Sequence, residues 1–178
     1  HPSSVPAIAS AGIRIATFAA ASIVLLASCS ESTQVIQSDD QRDPSVARLW
    51  NEVLLDAIRN DFARPTVHAR NIFHISAALY DAWAFFDANS GTFLLDKTVS
   101  NYSCPLDYVA YNRDLLSAQE EAMSFAAYRL ILHRFLEAPG FAAVQDNADS
   151  LMESLGYDTS DTSKNTRSGS AAAIGNVI

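Results

Sequence analysis

The sequence predicts an all-α fold of four to five helices that form the N-terminal part of a larger helical bundle. Apolar residues between positions 44 and 178 recur at spacings of three and four, the period of one helix face. These stripes are bounded by capping residues and by Pro or Gly, the punctuation expected at helix ends. The stretch without a clear period, 92–116, offers short extended pieces such as Thr92–Leu95 but no pattern that predicts a sheet.

Asp43 and Pro44 open the first helix as cap and first helical residue. Its stripe is Val46, Leu49, Trp50, Val53, Leu54, Ala57 and Ile58, ending near Phe62; the opposite face carries Arg48, Glu52, Asp56 and Arg59. Arg64-Pro65 interrupts it, because the residue before proline disfavours helical backbone. Thr66 then caps a second helix running from Val67 to about Asp87. Its wide stripe (Ile72, Phe73, Ile75, Leu79, Tyr80, Trp83, Phe86) predicts a central position. Asn89-Ser90-Gly91 makes a turn.

Ser117 and Glu120 read as a capping box for a third helix with Met123, Ala126, Ala127, Leu130, Ile131 and Phe135 on one side. Pro139-Gly140 ends it. A fourth helix spans about Phe141 to Leu155, with Val144, Ala148, Leu151, Met152 and Leu155 inward and Gly156 closing it. After a polar loop, Ser170 caps a helix that begins Ala171-Ala172-Ala173-Ile174. Apolar faces this wide imply a further partner surface, either a C-terminal helical bundle or a second copy.

Composition bounds the function. A length of 178 residues suits one folded domain. With 49% hydrophobic and 18% charged residues the chain is not intrinsically disordered. Twelve basic residues against 20 acidic ones give a net charge of −8, without the basic footprint of a nucleic-acid binder. Two cysteines exclude a disulfide scaffold. The chain begins at His1 and ends at Ile178 in the opening of a helix, so it reads as a piece of a longer protein.

Residues 1–28 read as a lipoprotein-type signal peptide. Arg14 precedes an uncharged run from Ile15 to Ser28, shorter than the roughly 20 residues a membrane span needs. Leu26-Ala27-Ser28-Cys29 follows the order of a bacterial lipobox: an aliphatic residue, two small ones, then the cysteine that receives the lipid. Cleavage would leave Cys29 as the acylated N-terminus, at about 0.8 kcal/mol of membrane affinity per buried CH₂. An ordinary secretory signal with a chance cysteine, or a buried apolar helix of a cytosolic protein, are the other readings of the run. Residues 29–44 form a polar tether, and 45–178 the helical region. The expected location is the bacterial cell envelope, with membrane contact through the lipid anchor.

Candidate chemistry is sparse. His68 and His74 stand roughly 240° apart around a helix and share no face. His74 and Asp81 can face one way, about 10 Å apart; interhelix hydrogen bonding is the plain reading and metal binding the sharper one. Glu52 and Asp56 share a face that reads as solvated, with Arg48–Glu52 and Asp56–Arg59 as surface pairs. Arg64, His68 and Arg70 cluster at the second helix start, where they suit an anion or structural pairing with Asp61 or Asp81. Cys104 reads as a small half-buried residue. Ser168-Gly169-Ser170 lacks the nucleophile-elbow pattern.

Four strings carry a resemblance: Trp50-Asn51-Glu52, Ala57-Ile58-Arg59, the run from Arg64 to Asn71 (RPTVHARN), and Tyr80-Asp81-Ala82-Trp83. With the later stretches EEAMSFAAYRLILHRF and SGSAAAIGN, the region 45–178 resembles the N-terminal helical part of bacterial vanadium-dependent haloperoxidase-like proteins, within the phosphatidic acid phosphatase superfamily. The resemblance implies two helical bundles, with vanadate in the C-terminal one, and peroxide-driven halide oxidation. Acid-phosphatase chemistry in the same superfamily, or a non-enzymatic helical lipoprotein, are its alternatives. The family's site motifs are a Lys followed by six residues and then Arg-Pro, a Ser-Gly-His, and an Arg followed some residues on by a His. They are not met here: Ala57 stands where the Lys before Arg64-Pro65 would be, and Ser170 follows Ser168-Gly169. No catalytic, vanadate-binding or metal-ligating residue is therefore assigned to this chain.

Overall fold

The structure, a computed structural model, describes residues 43–108 and 114–178. The expected signal peptide, Cys29 and the expected tether up to residue 42 lie outside the described residues. Five helices carry the fold: α1 (Val46–Arg59), α2 (Pro65–Ala84), α3 (Leu115–Phe135), α4 (Phe141–Ser154) and α5 (Ala171–Val177). The all-α class is as the sequence predicts. One small departure lies in the stretch expected to hold no sheet. There, β1 (Thr98–Val99) and β2 (Tyr102–Ser103) pair antiparallel, turned by Ser100 and Asn101 with left-handed φ of 49° and 69°. Thr92–Leu95, the expected extended piece, is not a strand.

The caps correct the sequence reading. Ser45, not Asp43, caps α1, its hydroxyl accepting from the Arg48 N–H at 3.4 Å. The helix ends at Arg59, and Phe62 is exposed. Pro65 itself starts α2, where its missing N–H costs nothing, so Thr66 is not the cap. Asp114, not Ser117, caps α3: its carboxylate accepts the Leu116 N–H and the Ser117 hydroxyl. The fourth and fifth helices end and start where expected. Gly156, at φ 79°, closes α4 with Tyr157 N–H on Met152 O and Gly156 N–H on Glu153 O, a Schellman motif. Ser170 caps α5 through the Ala173 N–H.

The central helix is α3, not α2. It packs against α1, α2, α4 and α5, and every residue from Ala122 to Tyr128 is buried. A helix enclosed on all sides shows little amphipathic period, which is why the sequence pointed elsewhere. Its small residues Ala118, Ala122 and Ala126 admit close neighbours. Ala171, Ala172 and Gly175 of α5 lie against them, and a Cβ at Gly175 would come within 2.6 Å of the Phe125 Cβ. Larger side chains fill the space beside α1 and α4: Trp50, Leu54, Ile131, Phe135 and Met152 are all fully buried. Burying each aliphatic one contributes about 1.5–3 kcal/mol.

On α2 the expected stripe is only half correct. Ile75, Leu79 and Phe86 are inward, but Ile72, Phe73, Tyr80 and Trp83 are 38–55% exposed. The inward face instead includes Asn71, Ala78, Asp81 and Ala82.

Candidate functional site

Asp81 organises the loop that follows α2. Its carboxylate accepts three backbone N–H groups, from Phe93, Leu94 and Leu95, the last two at 2.9 Å. A buried carboxylate is tolerated because those donors replace its water. Tyr80 donates to Gly91 O at 2.9 Å, and Thr92 closes the turn on Leu95 O. Asp81 therefore makes its bonds with this loop and not with a neighbouring helix, correcting that expectation.

The loop, the middle of α2, Leu130 of α3 and Ile178 enclose a cleft of about 190 Å³. His74 and Asp81 both line it, as their shared face predicts. Cys104 also lines it, a free and half-buried thiol as expected. The His74 ring tilts against Phe73 at 5.8 Å, and its side chain makes no hydrogen bond among the described residues. Burial, followed by the charges of Arg134 and Arg70, lowers its pKa below the usual 6.5.

The basic cluster at the α2 start is not assembled around a ligand space. Arg64 Nη2 reaches both Asp61 oxygens, at 2.9 and 2.7 Å. Asp61 also accepts the Phe62 N–H at 2.8 Å, and its side chain is 1% exposed. His68 Nε2 lies 2.8 Å from Phe62 O, so that nitrogen carries the proton; Nδ1 sits 4.0 Å from Asp61. Together these groups fasten the α1–α2 turn. Arg70 is exposed. The pairing with Asp61 was one of the sequence readings, whereas pairing with Asp81 does not occur.

Asp56 accepts from Asn147 at 2.6 Å and joins α1 to α4. The expected Arg48–Glu52 and Asp56–Arg59 pairs are not among the ion pairs of the described residues, which include Arg64–Asp61 and Arg167–Asp107.

Sequence reasoning missed three polar links. Arg134 Nε donates to the buried Asn71 at 3.1 Å, while its Nη2 is buried with no hydrogen-bond partner among the described residues. Tyr128 donates to Asp149 at 2.6 Å. Arg129 holds Asn176 and the carbonyls of Thr159 and Asp161. Each joins positions far apart in sequence, so no local spacing announces it.

Vanadate needs several convergent cations and a ligating His, and the cations whose charges reach His74 are Arg134 and Arg70. Arg64, Arg129 and Arg167 are each held by protein acceptors in different places, and Arg134 is held by Asn71. Among the described residues no group of three or more His, Cys, Asp or Glu is placed to hold a metal ion. No described helix is long and apolar enough to cross a membrane. The chain matches no protein-family model, no curated protein and no solved structure.

Proposed function

We propose that residues 45–178 are the helical N-terminal region of a vanadium-dependent haloperoxidase-like enzyme and serve it as scaffold. The reading starts from the sequence resemblance. The observation that carries the scaffold role is the fate of the Arg64–Asn71 string. Arg64 and His68 fasten the turn around Asp61, and Asn71 anchors Arg134. Asp81, in the second string, is spent on three backbone N–H groups. Side chains engaged in this way hold helices together and leave oxyanion binding to a C-terminal bundle. In the same reading, the exposed aromatic side of α2 is covered by that bundle, and acylated Cys29 tethers the protein to the bacterial envelope.

The test is bromide oxidation, with vanadate and peroxide, by the product of the whole reading frame and by the 178-residue chain. Activity in the first and none in the second is expected. Phosphate-ester hydrolysis without halide oxidation would assign the phosphatase chemistry instead. Neither activity in the whole product would leave a non-enzymatic lipoprotein. For the tether, Cys29→Ser should abolish lipid labelling and membrane fractionation; unchanged fractionation would refute it.

A further inference from the structure

Helix α2 has two faces, and the described residues cover one of them. Asn71, Ile75, Ala78 and Ala82 are buried, at spacings of four and three. Phe73, Ser76, Tyr80 and Trp83 recur on the opposite side at spacings of three and four, with Ala77 among them. The three aromatic residues of that side are exposed, as is Phe93 of the following loop. The Phe73 and Phe93 rings meet edge to face at 6.1 Å, and the Tyr80 and Trp83 rings lie 6.0 Å apart. Contiguous apolar surface of this kind marks an interaction site.

The relief of that side suits another helix. Phe73, Tyr80 and Phe93 wall a groove of about 260 Å³ whose floor is Ser76 and Ala77. Large side chains around small ones make the hole into which a side chain of a neighbouring helix inserts. The position of Ile178 decides which helix. Ile178 follows α5 and lines the adjoining cleft, which shares Phe73 and Ala77 with the groove. Chain leaving Ile178 therefore starts beside the groove. Consecutive helices joined by about two to eight residues lie side by side in bundles.

We propose that the segment following Ile178 forms a helix along the outer side of α2, with an apolar side chain seated between Phe73, Tyr80 and Phe93. The inference rests on the haloperoxidase-like reading only for the existence of a C-terminal bundle. It names the element of that bundle that closes α2 and the groove in which it sits.

The experiment compares the whole reading-frame product with the 178-residue chain. The photo-crosslinker p-benzoylphenylalanine, placed at Phe73, should join to the same molecule within about 25 residues after Ile178, the length of a short connection and one helix. Hydroxyl-radical labelling of Tyr80 and Trp83 should fall severalfold from the shorter chain to the whole product. Ser76→Lys puts a charge on the groove floor. It should restore that labelling in the whole product and leave the urea midpoint of the 178-residue chain unchanged, since Ser76 is exposed there. A crosslink to a second copy, a crosslink only to segments farther along, equal labelling in the two proteins, or whole-product labelling that Ser76→Lys does not alter would each overturn the proposal. Halide oxidation by a product whose Trp83 stays exposed would sink this inference alone. A covered Trp83 in a product without halide oxidation would sink the enzyme reading alone.

Discussion

The indole Nε1–H of Trp50 donates to the hydroxyl of Ser124 at 3.0 Å, and both residues are fully buried. Ser124 in turn donates to Glu120 O at 2.8 Å, so one hydroxyl serves two elements. This relay is the polar pin between α1 and α3, with the Tyr128 ring edge-on to the indole at 6.4 Å. Ser124→Ala strands a buried N–H and should cost about 1–3 kcal/mol in urea unfolding. The double variant with Trp50→Phe should cost less than the sum of the two, because the orphaned donor is then gone. Strict additivity would show that the bond contributes nothing specific.

Asp81→Asn tests the loop anchor. The amide keeps one acceptor oxygen but turns an N–H₂ toward backbone donors that a carboxylate had satisfied. Charge-assisted bonds of this kind contribute about 1.5–3 kcal/mol. Amide exchange at Phe93, Leu94 and Leu95 should accelerate far more than in α3. Unchanged protection at these three amides would remove Asp81 from its role.

The α1–α2 turn should give the protein part of its acid sensitivity. Burial pushes the Asp61 carboxyl up, but bonds from Arg64 and the Phe62 N–H, with the charges of Arg64 and His68, outweigh it and hold the pKa below the usual 3.8. The unfolded chain thus binds this proton more readily than the folded one. The resulting stability is present above the ordinary carboxylate value and is lost as pH falls through the folded one. Asp61→Asn should be less stable than wild type at pH 7, with the gap closing below about pH 4. A gap that stayed constant with pH would contradict this.

Gly175 marks the closest approach of α5 to α3. A Cβ there would meet the Ala122 carbonyl oxygen inside van der Waals contact and the Phe125 Cβ at 2.6 Å. Gly175→Ala gains helix propensity yet should be destabilising by about 1–3 kcal/mol through overpacking. A stabilised Gly175→Ala protein would show that α5 does not seat as described.

Helix number and class were legible because stripes of spacing three and four survive in α1 and α4, where only one face is inward. What failed was long-range. The sequence cannot show that Asp81 will meet the backbone of residues 93–95, so α2 reads as burying Tyr80 and Trp83 on grounds of hydropathy alone. Nor can it show that Ala-rich α3 is enclosed by four other helices, since small residues carry little apolar signal. Competing caps within three residues, Asp43 against Ser45 and Asp114 against Ser117, are decided by backbone geometry. The cleft brings His74, Leu94 and Leu130 together from three parts of the chain, and only the pair His74 and Asp81 was visible as a shared face.

The central claim is that these helices frame an oxyanion site without gripping it. Vanadium NMR of vanadate mixed with the whole reading-frame product, alongside the 178-residue chain, tests it most directly. The account predicts a protein-bound vanadate signal in the whole product and free vanadate alone with the shorter chain. A bound signal with the 178-residue chain, or none with the whole product, would contradict it.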